Sequence, residues 1–509
     1  MSDRAGAVLA VVVLAAVTAV VYSWRLAEVP PHVMHDEIQF ALQAESIAAT
    51  GRDLDGRLLP VYFVEPEFPA GRDPAIIYLT AAVLKLVRFG EDTVRLATAL
   101  VGTLDVVLLF LVARALIGST PIGLMAAGLL ALTPAHFIRA RLVLSPLYSI
   151  PFILLCLWML VEHERRPSPA RILLAGAWLG LGMYTYLACV IMMPLYLAGT
   201  LILVLRGSGT SAAALLLAGF AAVLVPMAIW HVTHPDRLSH ILGSYREFST
   251  APAALSIAGL QARAAAYWSF FDPSFLFVSG DSSLVNSTRR AGFFPAAFAL
   301  LIPAGLYWIA RSRRPMFWLI GAGFLLAPSA AVVSGAIEMN RVMFAIPFGV
   351  LVACIGATMM LRAGGWARWA VILLLASIPI QFLQFHGDYY TRYRDQAGPW
   401  FGGDIRTAFS TVIAATPGGG AAKVYVSRQI PFAQRYWRFY SLEAGRPDMI
   451  GVPEYFTALP ESAPAGARLV CASASSDCQA VSASSQWTRV SAAASGPATF
   501  EVFVKEPAP

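Results

Sequence analysis

The sequence predicts an α-helical polytopic membrane protein with about eleven transmembrane helices, a large first outer loop containing surface helices, and a small C-terminal α/β or α+β domain. Its 509 residues are 58% hydrophobic and only 13% charged, whereas soluble domains carry about 25% charged residues. Mean hydropathy is +0.65. Apolar runs recur as far as His386, where a polar stretch rich in Ser, Ala, Gly and Pro begins.

The transmembrane helices are predicted from apolar runs, because a helix needs about 20 apolar residues to cross the bilayer. The first run, from Ala5 to Trp24, follows Arg4. It is longer than the core of a cleavable signal peptide, so we expect a retained span with the N-terminus inside. Further spans are predicted at residues 94–113, 119–136, 146–162, 172–187, 189–205, 212–230, 293–310, 316–333, 341–361 and 369–386.

One apolar stretch is not assigned to a span. Residues 75–89 (AIIYLTAAVLKLVRF) form a short, amphipathic run that contains Lys85 and Arg88. If this run does not cross, the arginines of alternate short loops all lie on the side of Arg4, as the positive-inside rule requires. These arginines are Arg114, Arg165, Arg166, Arg171, Arg206, Arg311, Arg313, Arg314, Arg362 and Arg368. We therefore expect 75–89 to be a helix on the outer membrane surface.

This topology divides the chain into a transmembrane domain, residues 1–386, and a C-terminal domain, residues 387–509. The first outer loop covers about 25–93 and a long outer loop about 231–292. Strands are predicted in the C-terminal domain, at AKVYVS and TFEVFV. Cys471 and Cys478 lie together there, and we expect a disulfide if this domain faces an oxidising compartment. The expected location is a bacterial inner (plasma) membrane, with the N-terminus cytoplasmic and the C-terminal domain periplasmic.

The positive charge of the chain is carried almost entirely by arginine. The net charge is +7, and the only lysines are Lys85, Lys423 and Lys505. Arginine suits bidentate phosphate binding. The sequence contains no basic run or soluble basic domain, so we do not expect a nucleic-acid partner.

Arginines on the outer side oppose the positive-inside bias and therefore suggest an anionic partner. They are Arg52, Arg57, Arg72, Arg139, Arg141, Arg237, Arg246, Arg263, Arg289, Arg290 and Arg341. Arg341 is the strongest candidate, because it stands at the mouth of a span in GAIEMNRVMF, where an unpaired charge is costly. Its partner is either an anionic ligand or Glu338.

An acidic pair, Asp36-Glu37, follows the first span and is preceded by His35. The segment DEIQFALQAESIAAT has helical spacing and ends at Gly51. Asp36 is therefore either an N-cap, since acidic residues stabilise the first turn of a helix, or a catalytic acid or base. Local spacing does not decide between the two.

The ordered set of outer segments resembles the GT-C class of membrane glycosyltransferases, which use polyprenyl-phosphate sugars and include the protein O-mannosyltransferases and the lipid A aminoarabinose transferase. The resemblance covers about residues 1–395. It is carried by Asp36-Glu37, ATGRDLDGRLLPVYF, GRDPAIIYLTAAVLKLVRFGEDTVRLATALVG, LGLGMYTYLACVIMMPLYL, YWSFFDPSFLFVSGDSSLVNSTRRAGFF, and Arg341 with Pro347. Two features depart from the family pattern: Arg72 replaces a common lysine, and the second outer loop, HFIRARLVLSPLYS, lacks an acidic residue.

The resemblance implies an inverting hexosyl or pentosyl transferase with a lipid-phosphate sugar donor and an acceptor hydroxyl on a lipid, glycan or protein. Asp36 would be the general base, and Glu37 would hold the acceptor or a cation. The remaining candidate substrate-binding residues are Arg72, Arg341, Arg139, Arg141, His35, Tyr184 and Tyr186. No spaced His/Asp set marks a metal site, so a divalent cation (Mg²⁺ or Mn²⁺) is the one cofactor left open.

Two other classes of protein fit part of the pattern. A transporter or lipid flippase would bury ionisable residues near the bilayer midplane, but Asp105 alone lies well inside a span. A glycan polymerase or ligase would place its chemistry in HVTHPDRLSH, at the start of the long outer loop, instead of at Asp36. Substituting Asp36 separates the three classes.

Overall fold

The computed structural model describes residues 2–65, 68–236, 256–417, 423–460, 462–491 and 499–507, and side chains at all of these except 2–4, 68–70 and 491. The transmembrane part is built from helices. Its helices are α1 Ser2–Ser23, α2 His35–Thr50, α3 Pro74–Leu84, α4 Glu91–Ile117, α5 Thr120–Ala131, α6 Pro134–Arg139, α7 Ile150–Arg165, α8 Pro169–Gly182, α9 Cys189–Thr233, α10 Ile257–Ser269, α11 Phe298–Arg311, α12 Pro315–Leu326, α13 Ser329–Ser334, α14 Ala345–Ala363 and α15 Gly365–Asp388.

Every predicted span coincides with helical structure, which confirms a mostly helical membrane fold. Within the described residues, seven helices are long and apolar enough to cross a membrane. Three predicted spans are occupied by shorter helices, α5, α8 and α11. The predicted spans 189–205 and 212–230 both lie in α9, and the backbone breaks helical geometry between them at Gly209, with φ 83°. The count of about eleven crossings therefore remains a prediction.

The first outer loop folds into two helices and a hairpin. Helix α2 ends at Gly51, as predicted, in the left-handed conformation with φ 71°. Its N-cap is Met34, so Asp36 lies in the first turn of the helix and is not the cap. Strands β1 Phe63–Glu65 and β2 Phe68–Arg72 pair antiparallel and lead into α3. Helix α3 lies within the stretch predicted to be a surface helix.

The C-terminal domain begins with a continuation of α15. The helix runs on through a π-turn, Tyr389–Tyr393, and into α16 Arg394–Ala397, past the predicted boundary at 386. The later elements are α17 Ile405–Ala415, β3 Val424–Ser427, α18 Ala433–Glu443, β4 Pro453–Phe456, β5 Arg468–Ala472, α19 Ser476–Ala483, β6 Trp487–Ser491 and β7 Phe500–Lys505.

These strands form one five-stranded mixed sheet in the order β4-β3-β5-β7-β6. Strand β3 is parallel to both neighbours, and β7 is antiparallel to both of its own. Helices accompany the strands, so the domain is of the predicted α/β or α+β type. Cys471 and Cys478 form a disulfide between β5 and α19.

One contact between the C-terminal domain and the transmembrane part is made by a buried carboxylate of α4. Glu91, at the start of α4, is buried and accepts hydrogen bonds from Arg406 of α17 at 2.6 Å and Tyr440 of α18 at 3.0 Å. Glu443 accepts a hydrogen bond from the Glu91 backbone at 2.8 Å. These contacts place α18 against α2 and the acidic pair.

Candidate active site

The outer loops enclose a cavity of about 510 Å³, which contains several of the predicted site residues. Asp36 and Phe40 come from α2, Arg72 and Asp73 from the entry to α3, and Arg139 from α6. Residues 281–286 of the long outer loop and residues 338–340 before α14 form the other wall of the cavity. The complete lining is Met34, Asp36, Phe40, Arg72, Asp73, Arg139, Leu144, Ser145, Pro146, Tyr186, Leu187, Asp281, Ser282, Ser283, Val285, Asn286, Glu338 and Asn340.

Asp36 is the accessible member of the acidic pair. Its side chain is 43% exposed, and one of its carboxylate oxygens lies 3.2 Å from Nε2 of His35. The His35 ring stacks on Phe432 of the C-terminal domain, with a centroid distance of 4.6 Å. His35 is thus a neighbour that holds the acidic turn against the C-terminal domain, while the Asp36 carboxylate faces the cavity.

Glu37 does not face the cavity. It is fully buried and forms a two-pronged ion pair with Arg95 of α4, both bonds being 2.9 Å long. The Glu37 carboxylate also accepts hydrogen bonds from the backbone N–H groups of Met34 and Val143, each at 3.1 Å. Its bonding capacity is therefore used in joining α2, α4 and the second outer loop, and the geometry does not support the expected contact with acceptor or cation.

Arg72 reaches the cavity from the end of β2. Its Nε lies 3.2 Å from Glu65, which also pairs with Arg435 of α18 at 3.1 Å. The Arg72 guanidinium lies over the Phe40 ring, 5.6 Å from the ring centre. These contacts fix the side chain, and a planar guanidinium can bind a phosphate group through two hydrogen bonds.

Asp73 also lines the cavity, although sequence analysis did not single it out. It occupies the N-cap position of α3, yet its side chain makes no capping hydrogen bond. Burial raises the pKa of Asp73 to about 7, although a hydrogen bond with Ser145 and the charge of Arg72 act in the opposite direction. A pKa shifted this far by burial inside a cleft is typical of functional carboxylates.

Arg139 is the second arginine of the cavity. It is buried, and it donates a hydrogen bond to the side-chain oxygen of Asn286. Asn286 in turn donates to Asp281 at 2.9 Å, and Asp281 accepts the backbone N–H of Met339 at 2.7 Å. This chain of bonds connects Arg139 of α6 to the long outer loop, through Asn286 and Asp281, and to the segment before α14, through Met339.

Arg141 lies outside the cavity, although it is only two residues further along. It is fully buried and donates hydrogen bonds to the backbone oxygens of Tyr22, at 2.8 Å, and Val29, at 2.6 Å. It also lies over the Tyr389 ring, 5.5 Å from the ring centre. Arg141 therefore satisfies carbonyls at the end of α1 and in the segment that follows it, and it is not part of the cavity lining.

The remaining predicted residues divide between the cavity and its supports. Arg341 bonds to Ser334 at 2.9 Å and pairs with Glu338 at 3.4 Å, so the carboxylate partner considered from sequence is present. Arg341 itself is outside the cavity lining, whereas Glu338 is part of it. Tyr186 lines the cavity, but the Tyr184 hydroxyl bonds to the backbone of α9 at Val223, 2.8 Å away.

The usual side-chain ligands of a metal ion are His, Cys, Asp and Glu. Within the described residues, no group of three or more His, Cys, Asp or Glu side chains could hold a metal ion. The divalent cation that the sequence left open therefore stays a prediction.

The residues expected in the two rival classes lie elsewhere. His231 and His234 lie within hydrogen-bonding distance of carbonyls of α9, at 2.8 Å and 3.0 Å. The rest of HVTHPDRLSH from Arg237 onward, and Arg246, are outside the described residues. Asp105 is fully buried and lies 3.1 Å from His136. Neither set contributes to the cavity around Asp36.

Comparison with known proteins shows a match to one family model over part of the chain and a fold shared with solved structures. The sequence profile of the dolichyl-phosphate-mannose-protein mannosyltransferase family matches residues 69–230. ArnT from Cupriavidus metallidurans bound to undecaprenyl phosphate superposes with a TM-score of 0.62 at 15% identity over 97% of each chain. Its apo state gives 0.61 at 16% identity, covering 99% of this chain and 98% of ArnT. No curated protein matches the sequence.

Proposed function

We propose that this chain, which has the fold of the GT-C membrane glycosyltransferases, is an inverting glycosyltransferase. The donor is a polyprenyl-phosphate-linked sugar, and the acceptor is a hydroxyl group of a lipid, glycan or protein. The observation that carries the proposal is the meeting of Asp36, Arg72 and Arg139 in one cavity. This combination supplies a carboxylate for the acceptor and two guanidinium groups for an anionic leaving group.

Arg72 and Arg139 bind the donor phosphate in this proposal. They approach the cavity from two different outer loops, so a phosphate between them would contact both. Charge-assisted hydrogen bonds from arginine to phosphate are short and strong, especially where water is excluded. Arg341 pairs with Glu338, which lines the same cavity, and so supports the loop that carries it. The undecaprenyl phosphate bound to ArnT supports an anionic polyprenyl ligand for a protein of this fold.

Asp36 acts on the acceptor. The acceptor oxygen attacks the anomeric carbon of the donor from the face opposite the phosphate, the bond from that carbon to the phosphate oxygen breaks, and the acceptor proton passes to Asp36. Polyprenyl phosphate leaves with the bonding electrons, and the two arginines stabilise the growing negative charge. A carboxylate of ordinary basicity suffices, because the acceptor oxygen becomes acidic only as it attacks.

The reaction takes place on the outer, periplasmic side of the membrane in this proposal. Asp36, Arg72 and Arg139 belong to loops that the positive-inside rule places opposite Arg4. The disulfide between Cys471 and Cys478 supports an oxidising compartment for the C-terminal domain. The donor's prenyl chain stays in the outer leaflet, and the acceptor approaches from the aqueous side.

The test is a transfer assay with the purified full chain in liposomes. Radiolabelled polyprenyl-phosphate mannose, glucose, galactose and arabinose are supplied one at a time, with a cell-envelope extract as the source of acceptors. We expect one donor to release polyprenyl phosphate while its label moves into a lipid, glycan or protein fraction. Failure of all four donors to release polyprenyl phosphate would contradict the proposal.

A further inference from the structure

A second, smaller cavity lies beside the candidate active site and has no role in the mechanism above. Its volume is about 210 Å³, and we call it the polar chamber. It is lined by Gln39, Leu42, Gln43, Leu54, Asp55, Glu65 and Arg435. Helix α2 and the first outer loop form most of its wall, and Arg435 of the C-terminal domain completes it.

Two of the chamber's side chains are held rigidly. Gln43 donates a hydrogen bond to Glu65 at 2.9 Å and accepts one from the backbone N–H of Leu54 at 3.1 Å. Glu65 is held by Arg435 on one side and by Arg72 on the other, at 3.1 Å and 3.2 Å. Since Arg72 lines the active-site cavity, the Glu65–Arg72 ion pair lies where the two cavities adjoin.

Gln39 and Asp55 are further polar side chains in the chamber wall. Gln39 is 3% exposed, and its side-chain oxygen has no hydrogen-bond partner. Asp55 is 53% exposed and shares one oxygen with Arg57 at 2.7 Å. A buried amide without its full set of bonds costs free energy, and a ligand that can both donate and accept hydrogen bonds relieves this cost.

The charges and size of the chamber limit the class of ligand. The carboxylates of Glu65 and Asp55 are offset by the guanidinium groups of Arg435 and Arg57, so neither an anion nor a cation is strongly favoured. Drug-sized ligands occupy pockets of about 300–1,000 Å³, and this chamber is smaller. Leu42 and Leu54 provide a small apolar surface. One neutral sugar ring, with hydroxyl groups at its edge and C–H groups on its face, fits the balanced charge, the small volume and the apolar surface of the chamber.

The position of the chamber relative to Asp36 relates it to the acceptor. Asp36 and Gln43 are seven residues apart on α2, which corresponds to nearly two turns and about 10 Å along the helix axis. Both side chains therefore project from the same side of the helix. A short saccharide can place one ring in the chamber while the hydroxyl of another lies at Asp36.

We propose that the polar chamber is a carbohydrate subsite that binds one sugar ring of the acceptor, which is therefore a glycan or a glycolipid. This inference rests on the proposed function, since it names the acceptor class of the same site. It also gives the C-terminal domain a part in recognition, because Arg435 forms one wall of the chamber.

Saturation-transfer difference NMR tests the subsite without requiring transfer. The probes are the methyl glycosides of glucose, galactose, mannose and N-acetylglucosamine, added to the purified full chain. We expect at least one glycoside to give a signal, and Gln39→Leu or Asp55→Ala to weaken it about fivefold, as the loss of one hydrogen bond predicts. Gln479→Leu, the same change as Gln39→Leu at an exposed position on α19, should leave the signal unchanged.

The outcomes separate the subsite from the proposed function. Asp36→Asn should retain the glycoside signal even where it abolishes transfer. If none of the four glycosides gives a signal, or if Gln39→Leu and Asp55→Ala both keep the wild-type signal, the subsite is overturned, whatever the transfer assay shows. Asp55 is exposed in a loop, so its substitution keeps the test decisive if Gln39→Leu does not fold.

Discussion

Asp36 and Glu37 are adjacent in sequence, yet their surroundings give them different tasks. Glu37 accepts four hydrogen bonds and pairs with Arg95 in a fully buried position. Asp36 is 43% exposed at the cavity. Removing one partner of a buried pair costs about 3–5 kcal/mol, so Glu37 is constrained by stability. Asp36 remains free to meet a substrate.

Asp73 provides a prediction about pH. Because its pKa is about 7, its carboxyl is neutral below that pH and negatively charged above it. A phosphodiester donor is anionic throughout this range, so ionised Asp73 repels it. We expect the KM for the donor to rise about fivefold between pH 6 and pH 8.5, as one added charge in a partly solvated site predicts.

The matched variant is Asp73→Asn, which cannot ionise. Its KM for the donor should stay near the wild-type value at pH 6 across the whole range, and steady-state kinetics at several pH values measure this. If Asp73→Asn shows the same rise as the wild type, another group titrates and the role given to Asp73 is wrong.

These side chains were not equally predictable from the sequence, for physical reasons. The outer arginines and Asp36 were recognisable because charge is costly beside a membrane. The different roles of Asp36 and Glu37 were not recognisable, because Arg95, the partner of Glu37, lies 58 residues away in sequence. Asp73 was missed because its raised pKa comes from burial. The contacts of Arg141 with the carbonyls of Tyr22 and Val29 could not be predicted, because only the tertiary path of the chain brings them together.

At the scale of single elements, helices α8 and α9 pack closely through glycine. A Cβ atom on Gly219 would lie 2.0 Å from the backbone oxygen of Leu173, and one on Gly176 would lie 1.9 Å from that of Leu216. Small residues allow membrane helices to approach in this way. The long outer loop follows α9 directly, and Tyr186 lies in the turn between α8 and α9.

Gly219→Ala should therefore destabilise the protein by about 1–3 kcal/mol through overpacking. The measurement is the thermal midpoint in detergent, followed by tryptophan fluorescence and by recovery of monodisperse protein. Gly128→Ala on α5 is the control, because a Cβ atom there meets nothing within 4 Å. Equal shifts for the two variants would contradict the close contact.

The helices themselves were largely predictable, because apolar length decides where a chain enters the bilayer. The helix boundaries were less predictable. Helices α5 and α8 are 12 and 14 residues long, shorter than the spans predicted at 119–136 and 172–187. The spans predicted separately at 189–205 and 212–230 lie on either side of the break in α9 at Gly209.

At the scale of the whole molecule, the C-terminal domain and the transmembrane part share the site. Glu91 connects them through Arg406 and Tyr440, while Phe432 and Arg435 reach His35 and Glu65. The sequence predicted the sheet domain from its polar, strand-rich composition. It could not predict the docking, since each of these contacts joins residues more than 300 positions apart.

The orientation of the molecule gives a further prediction. Ser485→Cys, in an exposed part of the C-terminal domain, should react with a membrane-impermeant maleimide in intact spheroplasts. Thr210→Cys, exposed within α9 on the side of Arg4, should react only after the membrane is permeabilised. Gel-shift detection of the label measures both. Labelling of Thr210→Cys in intact spheroplasts, with Ser485→Cys protected, would show that the orientation is opposite to the predicted one.

The central claim is that the Asp36 carboxylate takes the acceptor proton during sugar transfer. The most direct measurement is the transfer rate of Asp36→Asn in the liposome assay, beside Asp92→Asn, which makes the same change at an exposed position in the first turn of α4. Loss of a general base predicts a fall of about 100-fold or more for Asp36→Asn, with Asp92→Asn near wild type. A folded Asp36→Asn protein that transfers sugar at the wild-type rate would contradict the claim.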